Sequence, residues 1–205
     1  MKILLLSDNK CVSDNIATIL ERKGEDYSRR SSIDWASPCE FDLIISAHSK
    51  EIFPAFIVNT TRCINIHPGL LPNERGWYPH IFSIAQGRKR TGCTIHEMDE
   101  KIDHGRIICQ REVAILSSDT SESVYNRILQ AEGELFAEFY DQIINEADGE
   151  YHSKRDFNRL CELNLNHVGT LEGHINLLRS LTHGDFNNAK YTKDGKELFI
   201  KISIS

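Results

Sequence analysis

Short apolar runs alternate with helix-patterned segments through the first two thirds of the chain, and this alternation limits the fold more than any other feature. Lys2–Ser7, Asp42–Ala47 and Cys63–His67 are apolar runs closed by polar residues, the pattern of buried strands. Ser13–Lys23 sets Ile16, Ile19 and Leu20 at helical spacing and stops before Gly24. Buried strands joined by helices pack as a mostly parallel sheet, so the expected class is α/β. His80–Gln86 reads as a short helix ended by Gly87, and Thr91–Met98 and Ile107–Ala114 read as further strands. Asp119 and Glu122 read as a capping pair for a helix whose Val124, Ile128, Ala131, Leu135 and Phe139 form one apolar stripe.

The pattern changes near residue 148. Asp148–Arg155 is polar and linker-like, which divides residues 1–150 from 151–205. Leu171–Leu181 reads as a small helix. Two β-prone runs, Ala189–Thr192 and Glu197–Ile202, flank Lys193-Asp194-Gly195-Lys196, and Asp-Gly favours the positive φ values of a tight hairpin. Leu198, Ile200, Ile202 and Ile204 are expected on one face and Phe199 on the other. A lone hairpin is marginal in water. It either docks on its own chain or pairs with a second copy about a twofold axis.

The 205 residues carry a formal net charge of −6, so there is no electrostatic case for a nucleic-acid partner. The run Met1–Leu6 ends at Ser7-Asp8, too short for a signal core. No stretch of about 18 apolar residues occurs, so no membrane span is expected. The six cysteines are scattered without a CxxC motif, as for free thiols in a reducing cytosol.

The chemistry centres on Asn65-Ile66-His67, which leaves a strand into Pro68-Gly69-Leu70-Leu71-Pro72. Residues 68–79 hold three prolines and two glycines, which is loop chemistry at a strand's end. Positions i and i+2 of a strand share a face, so Asn65 and His67 present an amide and an imidazole side by side. Taken alone, such a pair is more often a structural hydrogen bond. A second stretch runs from Thr91 to Glu100 and on through Ile102-Asp103-His104-Gly105. Its acidic turn reads either as a solvated surface or as the source of a carboxylate, Asp103, beside the imidazole. His96-Glu97 lacks the second histidine of a zinc helix, because position 100 is Glu, and no metal is expected. Jointly, Asn65 and a cationic His67 supply donors to an oxyanion, and Asp103 steers a proton off an attacking amine. No Gly-x-Ser-x-Gly elbow is present, and the amine itself serves as nucleophile.

Ile64–Val113 resembles the folate-dependent formyltransferase family. The residues that carry the likeness are Asn65-x-His67-Pro68 with Asp103, 36 residues beyond His67; Thr91-Gly92-x-Thr94-x-His96; and Asp103-x-Gly105-x-Ile107-Ile108-x-Gln110. The loop Asn73–Ile84 and the tail segments Leu178–Thr182 and Phe186–Tyr191 are similar to those of nucleotide-sugar N-formyltransferases. One departure is His80, where Gln is expected, and it bears on substrate choice.

The resemblance implies a Rossmann-like formyltransferase core with a C-terminal helix and β-hairpin. It implies N10-formyltetrahydrofolate as co-substrate, lying between Ile45–Ser49 and Glu97–Asp103 and lined by Ile45, Ser46, Ala47, Met98, Asp99, Ile102 and Asp103. The catalytic set is Asn65, His67 and Asp103. The amine acceptor is a dTDP-linked amino-dideoxyhexose over Arg75, Gly76, Trp77, Tyr78 and His80. The best match is dTDP-4-amino-4,6-dideoxyglucose, with the 3-amino isomer next. The protein is expected to be cytoplasmic and dimeric through its hairpin, with a formamido sugar for surface polysaccharide as product. The rival acceptor, a phosphoribosyl glycinamide, needs a glycine-rich phosphate loop, and Ser7-Asp8-Asn9-Lys10 contains no glycine. A tRNA acceptor needs an additional domain and positive charge. A dinucleotide enzyme needs GxGxxG after the first strand. A non-catalytic binding module would tolerate loss of the triad.

Overall fold

The computed structural model describes residues 1–35, 40–145 and 158–203. In chain order the elements are β1 (Lys2–Leu6), α1 (Lys10–Lys23), β2 (Asp26–Arg30), β3 (Leu43–Ala47), α2 (Ala55–Thr60), β4 (Arg62–His67), α3 (Pro79–Ala85), β5 (Arg90–Glu97), β6 (Ile107–Ala114), α4 (Ser121–Glu138), α5 (Tyr140–Ile144), α6 (Asn158–Cys161), α7 (Leu171–Leu181), β7 (Thr182–His183), β8 (Phe186–Asn187), β9 (Ala189–Lys193) and β10 (Lys196–Ile200). Six strands form one sheet in the order β2-β1-β3-β4-β5-β6. The β1–β2, β1–β3 and β3–β4 pairs are parallel, and β5 and β6 are antiparallel additions. The α/β class and the C-terminal hairpin are as expected.

The apolar runs do what two-sided burial requires. Ile3 and Leu5 enter one core with α1 and α4, while Leu4 and Leu6 enter a second core on the opposite face. β2 carries no such run. Asp26-Tyr27-Ser28-Arg29-Arg30 is a polar edge strand, and its charges blunt further pairing. α1 starts three residues earlier than its apolar pattern, because the Asn9 side chain accepts from the Val12 N–H and caps the helix. α4 corrects the expected cap. Thr120 and Ser123 form the capping box, whereas Asp119 accepts from the Leu116 N–H, the Ser123 hydroxyl and the Arg127 guanidinium. Phe139 sits at the helix's C-cap, only partly buried, and so drops out of the fully buried stripe.

The C-terminal elements pack on the sheet domain. Leu181 and Ala189 join Ile81 of α3 and Cys161 in a third core. Arg179 of α7 is buried and donates to the carbonyls of Leu116 and Ser117, both at 2.8 Å, and of Asp119 at 3.3 Å. The linker expected at Asp148–Arg155, with the division at residue 150, lies outside the described residues, as does Ile204. At the hairpin, Asp194 and Gly195 take φ of 52° and 73°, so both central residues are left-handed, as a two-residue turn demands. The expected division of faces is only partly present. Ile200 packs toward Ala189, Leu198 and Phe199 are both exposed, and Ile202 lies beyond the strand's end.

Cys93 and Cys109 are buried, and burial pushes both thiols up, Cys109 to about 12. No helix among the described residues is long and apolar enough to cross a membrane.

Candidate active site

β4 delivers Asn65 and His67 to the sheet's carboxyl edge, and the next strand supplies His96 opposite Asn65 and Thr94 opposite His67. The Asn65 amide nitrogen lies 3.2 Å from Nε2 of His96 and 3.3 Å from Oδ1 of Asp103. Nδ1 of His96 is 2.7 Å from the Glu97 carbonyl, which can only accept, so that nitrogen carries the proton and Nε2 is the acceptor for Asn65. Burial lowers the His96 pKa to about 4, keeping the ring neutral, and His67 lowers it further against the opposing pull of Asp103.

Asp103 sits in a left-handed turn, at φ 48°, that points its carboxylate back at the strand. Oδ2 accepts the Gly76 N–H at 2.8 Å, and Oδ1 stands 3.6 Å from Nδ1 of His67 and 3.9 Å from Nε2 of His96. Burial raises the carboxyl's pKa, but His67, His96, the Gly76 N–H and Arg75 together hold it below the usual carboxylate range. The turn is tight enough that a Cβ on Gly105 would lie 1.7 Å from the Glu97 carbonyl oxygen, so only glycine fits there. The triad expected from the sequence is therefore one cluster.

His67 is 4% exposed, and its other nitrogen, Nε2, lies 2.6 Å from the carbonyl oxygen of Glu74. The proline loop is pinned on its far side. Thr94 Oγ1 donates to the Gly69 carbonyl and accepts from the Leu71 N–H, and Gln110 Nε2 donates to the Leu71 carbonyl and to Thr94 Oγ1. Glu74, whose role the sequence did not disclose, is a buried carboxylate in a segment that otherwise reads as exposed loop.

The residues expected around the site divide by exposure. Trp77 is 63% and Tyr78 44% exposed, so neither is a core side chain. Arg75 is buried, donates from its guanidinium to the Ile102 carbonyl, and keeps an unpaired Nε. His80 is buried, stacked on Tyr125 with centroids 5.1 Å apart, and burial lowers its pKa to about 3. Ile45, Ser46 and Ala47 are the buried end of β3; β4 pairs with all three, and β1 with Ile45 and Ser46. Met98 packs against the core that contains Ile44 and Cys63, Asp99 meets His104 Nδ1 at 2.7 Å, and Ile102 is exposed.

A second polar group has members far apart in sequence. His48, at φ 57°, directs Nε2 to Glu132 at 2.8 Å and Nδ1 to the Tyr125 hydroxyl at 2.9 Å, which also accepts from Asn9 at 3.0 Å. Ser121 Oγ bridges His80 at 3.2 Å and His183 at 2.9 Å. Among the described residues no three His, Cys, Asp or Glu side chains are grouped to hold a metal ion. A cavity of about 290 Å³ between α3 and α7, lined by Phe82, His167, Thr170 and Leu177 among others, includes none of the triad.

Comparison with known proteins agrees with this geometry. A dTDP-4-amino-4,6-dideoxyglucose formyltransferase of Mycobacterium tuberculosis is 44% identical over 173 residues, which cover 80% of this chain and 74% of that protein. A sugar N-formyltransferase from a Shewanella species superposes with a TM-score of 0.89 at 38% identity, covering 100% of this chain and 98% of the other. The formyltransferase PseJ of Anoxybacillus kamchatkensis, solved with UDP-4,6-dideoxy-4-formamido-L-AltNAc and tetrahydrofolate, has a TM-score of 0.66 at 30% identity over 76% of this chain and 83% of its own. The N-formyltransferase dimerization C-terminal domain matches residues 156–205. The formyl transferase domain matches residues 18–139, which include Asn65, His67 and Asp103, and the chain belongs to the formyl transferase family.

Proposed function

We propose that this enzyme transfers the formyl group of N10-formyltetrahydrofolate to the amine of a dTDP-linked amino-dideoxyhexose, dTDP-4-amino-4,6-dideoxyglucose first and its 3-amino isomer next. The observation that carries the reading is the convergence of the Asn65 amide and His67 Nδ1 on one oxygen of Asp103. An attacking amine turns the formyl oxygen into an oxyanion, which needs donors already in place. Asn65 and His67 are those donors. The amine gives up a proton as the C–N bond forms, and Asp103, ionised and beside the imidazole, directs it away. The tetrahydrofolate nitrogen leaves with the electron pair of the broken bond and takes up a proton. Both amide hydrogens of Asn65 rest on acceptors, so one exchanges its partner for the formyl oxygen.

The carrier is assigned to the edge between Ile45–Ser49 and the Glu97–Asp103 turn, lined by Ile45, Ser46, Ala47, Met98, Asp99, Ile102 and Asp103. Because the side chains of β3 are buried, the pterin would be read by backbone groups at the strand's end. The sugar nucleotide is assigned to Arg75, Gly76, Trp77, Tyr78 and His80. The exposed rings of Trp77 and Tyr78 and the unpaired Arg75 Nε support that choice. The names borne by the Mycobacterium and Shewanella proteins support a sugar acceptor. The enzyme acts in the cytoplasm, as a homodimer through the exposed Leu198 and Phe199 of the hairpin, and its formamido sugar enters a surface polysaccharide.

The test is incubation with N10-formyltetrahydrofolate and a panel of dTDP- and UDP-linked amino sugars, read by mass spectrometry. Formylation of the 4-amino-4,6-dideoxyglucose nucleotide ahead of the rest is expected. Formylation of none of them, under conditions where a phosphoribosyl glycinamide is formylated, would overturn the reading. A crystal with a reduced folate analogue tests the carrier's position, and a pterin elsewhere would refute it.

A further inference from the structure

Glu74 is 2% exposed, and donors surround its carboxylate. Oε2 accepts the Leu70 N–H at 2.7 Å and the Thr91 hydroxyl at 2.8 Å. Oε1 accepts the Ser83 hydroxyl and faces the Arg88 guanidinium at 3.7 Å. These partners come from the proline loop, β5, α3 and the turn beyond it. The backbone N–H of Glu74 donates to the Leu70 carbonyl at 3.0 Å, so the residue is held at both its main chain and its tip. Its own carbonyl oxygen then receives His67 Nε2 at 2.6 Å. Gly69 also abuts this oxygen: a Cβ there would come within 2.7 Å of it and of the Pro79 ring.

We propose that Glu74 is a positioning residue for formyl transfer: its side chain anchors the loop to β5 and α3 so that its backbone carbonyl holds the His67 ring with Nδ1 turned to Asp103. The inference rests on the formyl-transfer reading of the Asn65–His67–Asp103 cluster. A carboxylate suits the position because every neighbour offers a hydrogen and none needs one. An amide would bring N–H groups in among donors, with only the hydroxyls free to turn round. A leucine would leave the Leu70 N–H and two hydroxyls buried without acceptors. The carboxylate itself does not touch His67, so its effect passes through the main chain.

The experiment uses the full-length protein and four variants: Glu74→Leu, Glu74→Gln, Gly69→Ala, and Ser83→Ala combined with Thr91→Val. Displacing a catalytic ring by about 1 Å costs on the order of 100-fold in rate, so Glu74→Leu should lower kcat ~10- to 100-fold, with both KM values within about twofold. Glu74→Gln should recover part of that loss. Gly69→Ala, which crowds the same carbonyl, should lower kcat in the same way.

A structural readout is independent of turnover. The imidazole proton on the short bond to Glu74 should give a low-field proton resonance in the wild type, lost in His67→Ala and lost or shifted in Glu74→Leu. A folded Glu74→Leu protein with wild-type kcat and an unshifted resonance would overturn the proposal. Should Glu74→Leu fail to fold, wild-type kcat in both Gly69→Ala and the double variant would overturn it equally. A wild type that formylates no amine would instead refute the formyl-transfer reading, while the resonance would still report whether Glu74 fixes the ring.

Discussion

The amide nitrogen of Asn65 lies 3.3 Å from the carboxylate of Asp103, although 38 residues separate them in the chain. The contact joins the end of a buried strand to a left-handed turn beyond its antiparallel neighbour, and the proposed chemistry depends on it.

Replacing His67 with Asn or Ala should lower kcat by roughly 100-fold or more, the usual cost of a lost oxyanion donor, without unfolding the protein. Asn65→Ala should behave alike. Asp103→Asn should be severe, because it removes the ionised oxygen on which Asn65 and His67 converge. Steady-state kinetics beside thermal melts check this, and near-normal turnover in the His67 variants would sink the mechanism.

Tyr78 forms the left-handed entry to α3 and is 44% exposed. If its ring lines the sugar-nucleotide pocket, Tyr78→Ala should raise KM for that substrate severalfold and leave KM for the folate unchanged. A Michaelis constant that does not move would return the ring to a packing role.

Stability should fall with acid in a specific window. Burial lowers the pKa of His80 to about 3 and of His96 to about 4. Unfolding restores both to about 6.5, so the unfolded chain binds more protons between those limits. The stabilisation is full above pH of about 6.5 and is lost as pH falls toward the folded values, at about 1.4 kcal/mol per pH unit for each histidine. Asp103, held low, adds stability that is complete above the ordinary carboxylate range and is lost only below it, so it leaves the slope in this window to the histidines. Melting temperatures from pH 7 to 4.5 should therefore drop steeply, and His80→Gln should flatten the curve. Identical slopes would show that His80 binds its proton without unfolding.

For the dimer, Leu198→Lys with Phe199→Glu places charge on two exposed apolar side chains and spares the Ala189–Ile200 contact in the core. Sedimentation velocity should find the wild type dimeric and the variant monomeric at micromolar concentration. A monomeric wild type, or an unaffected variant, would remove the hairpin as the interface.

Legibility followed physical signal strength. The strands with continuous apolar runs were readable because burial on both faces leaves few other residue choices, and Asp194-Gly195 was readable because few residue pairs accept two left-handed conformations. β2 was not, since an edge strand made of Tyr, Ser and charged residues looks like loop. The short repeat in Asn65-Ile66-His67 put two side chains on one face, but nothing local revealed that His96 would orient the amide. Glu74 was illegible for the same reason. A glutamate among prolines and glycines reads as surface, and its burial depends on Ser83, Thr91 and Leu70 meeting in space. The network from His48 through Tyr125 to Asn9 has members up to 116 residues apart and leaves no sequence signature.

Arg179 ties the two matched segments together. Its guanidinium threads from the C-terminal helix into a turn of the sheet domain and takes up three carbonyls there. A chain cut before the helix would retain every atom of Asn65, His67 and Asp103, yet leave the carbonyls of Leu116, Ser117 and Asp119 without the Arg179 donor and strip the cover from Ile81 on the helix that carries His80. A graft of the tail would have to bring donors for those three carbonyls and an apolar cover for Ile81.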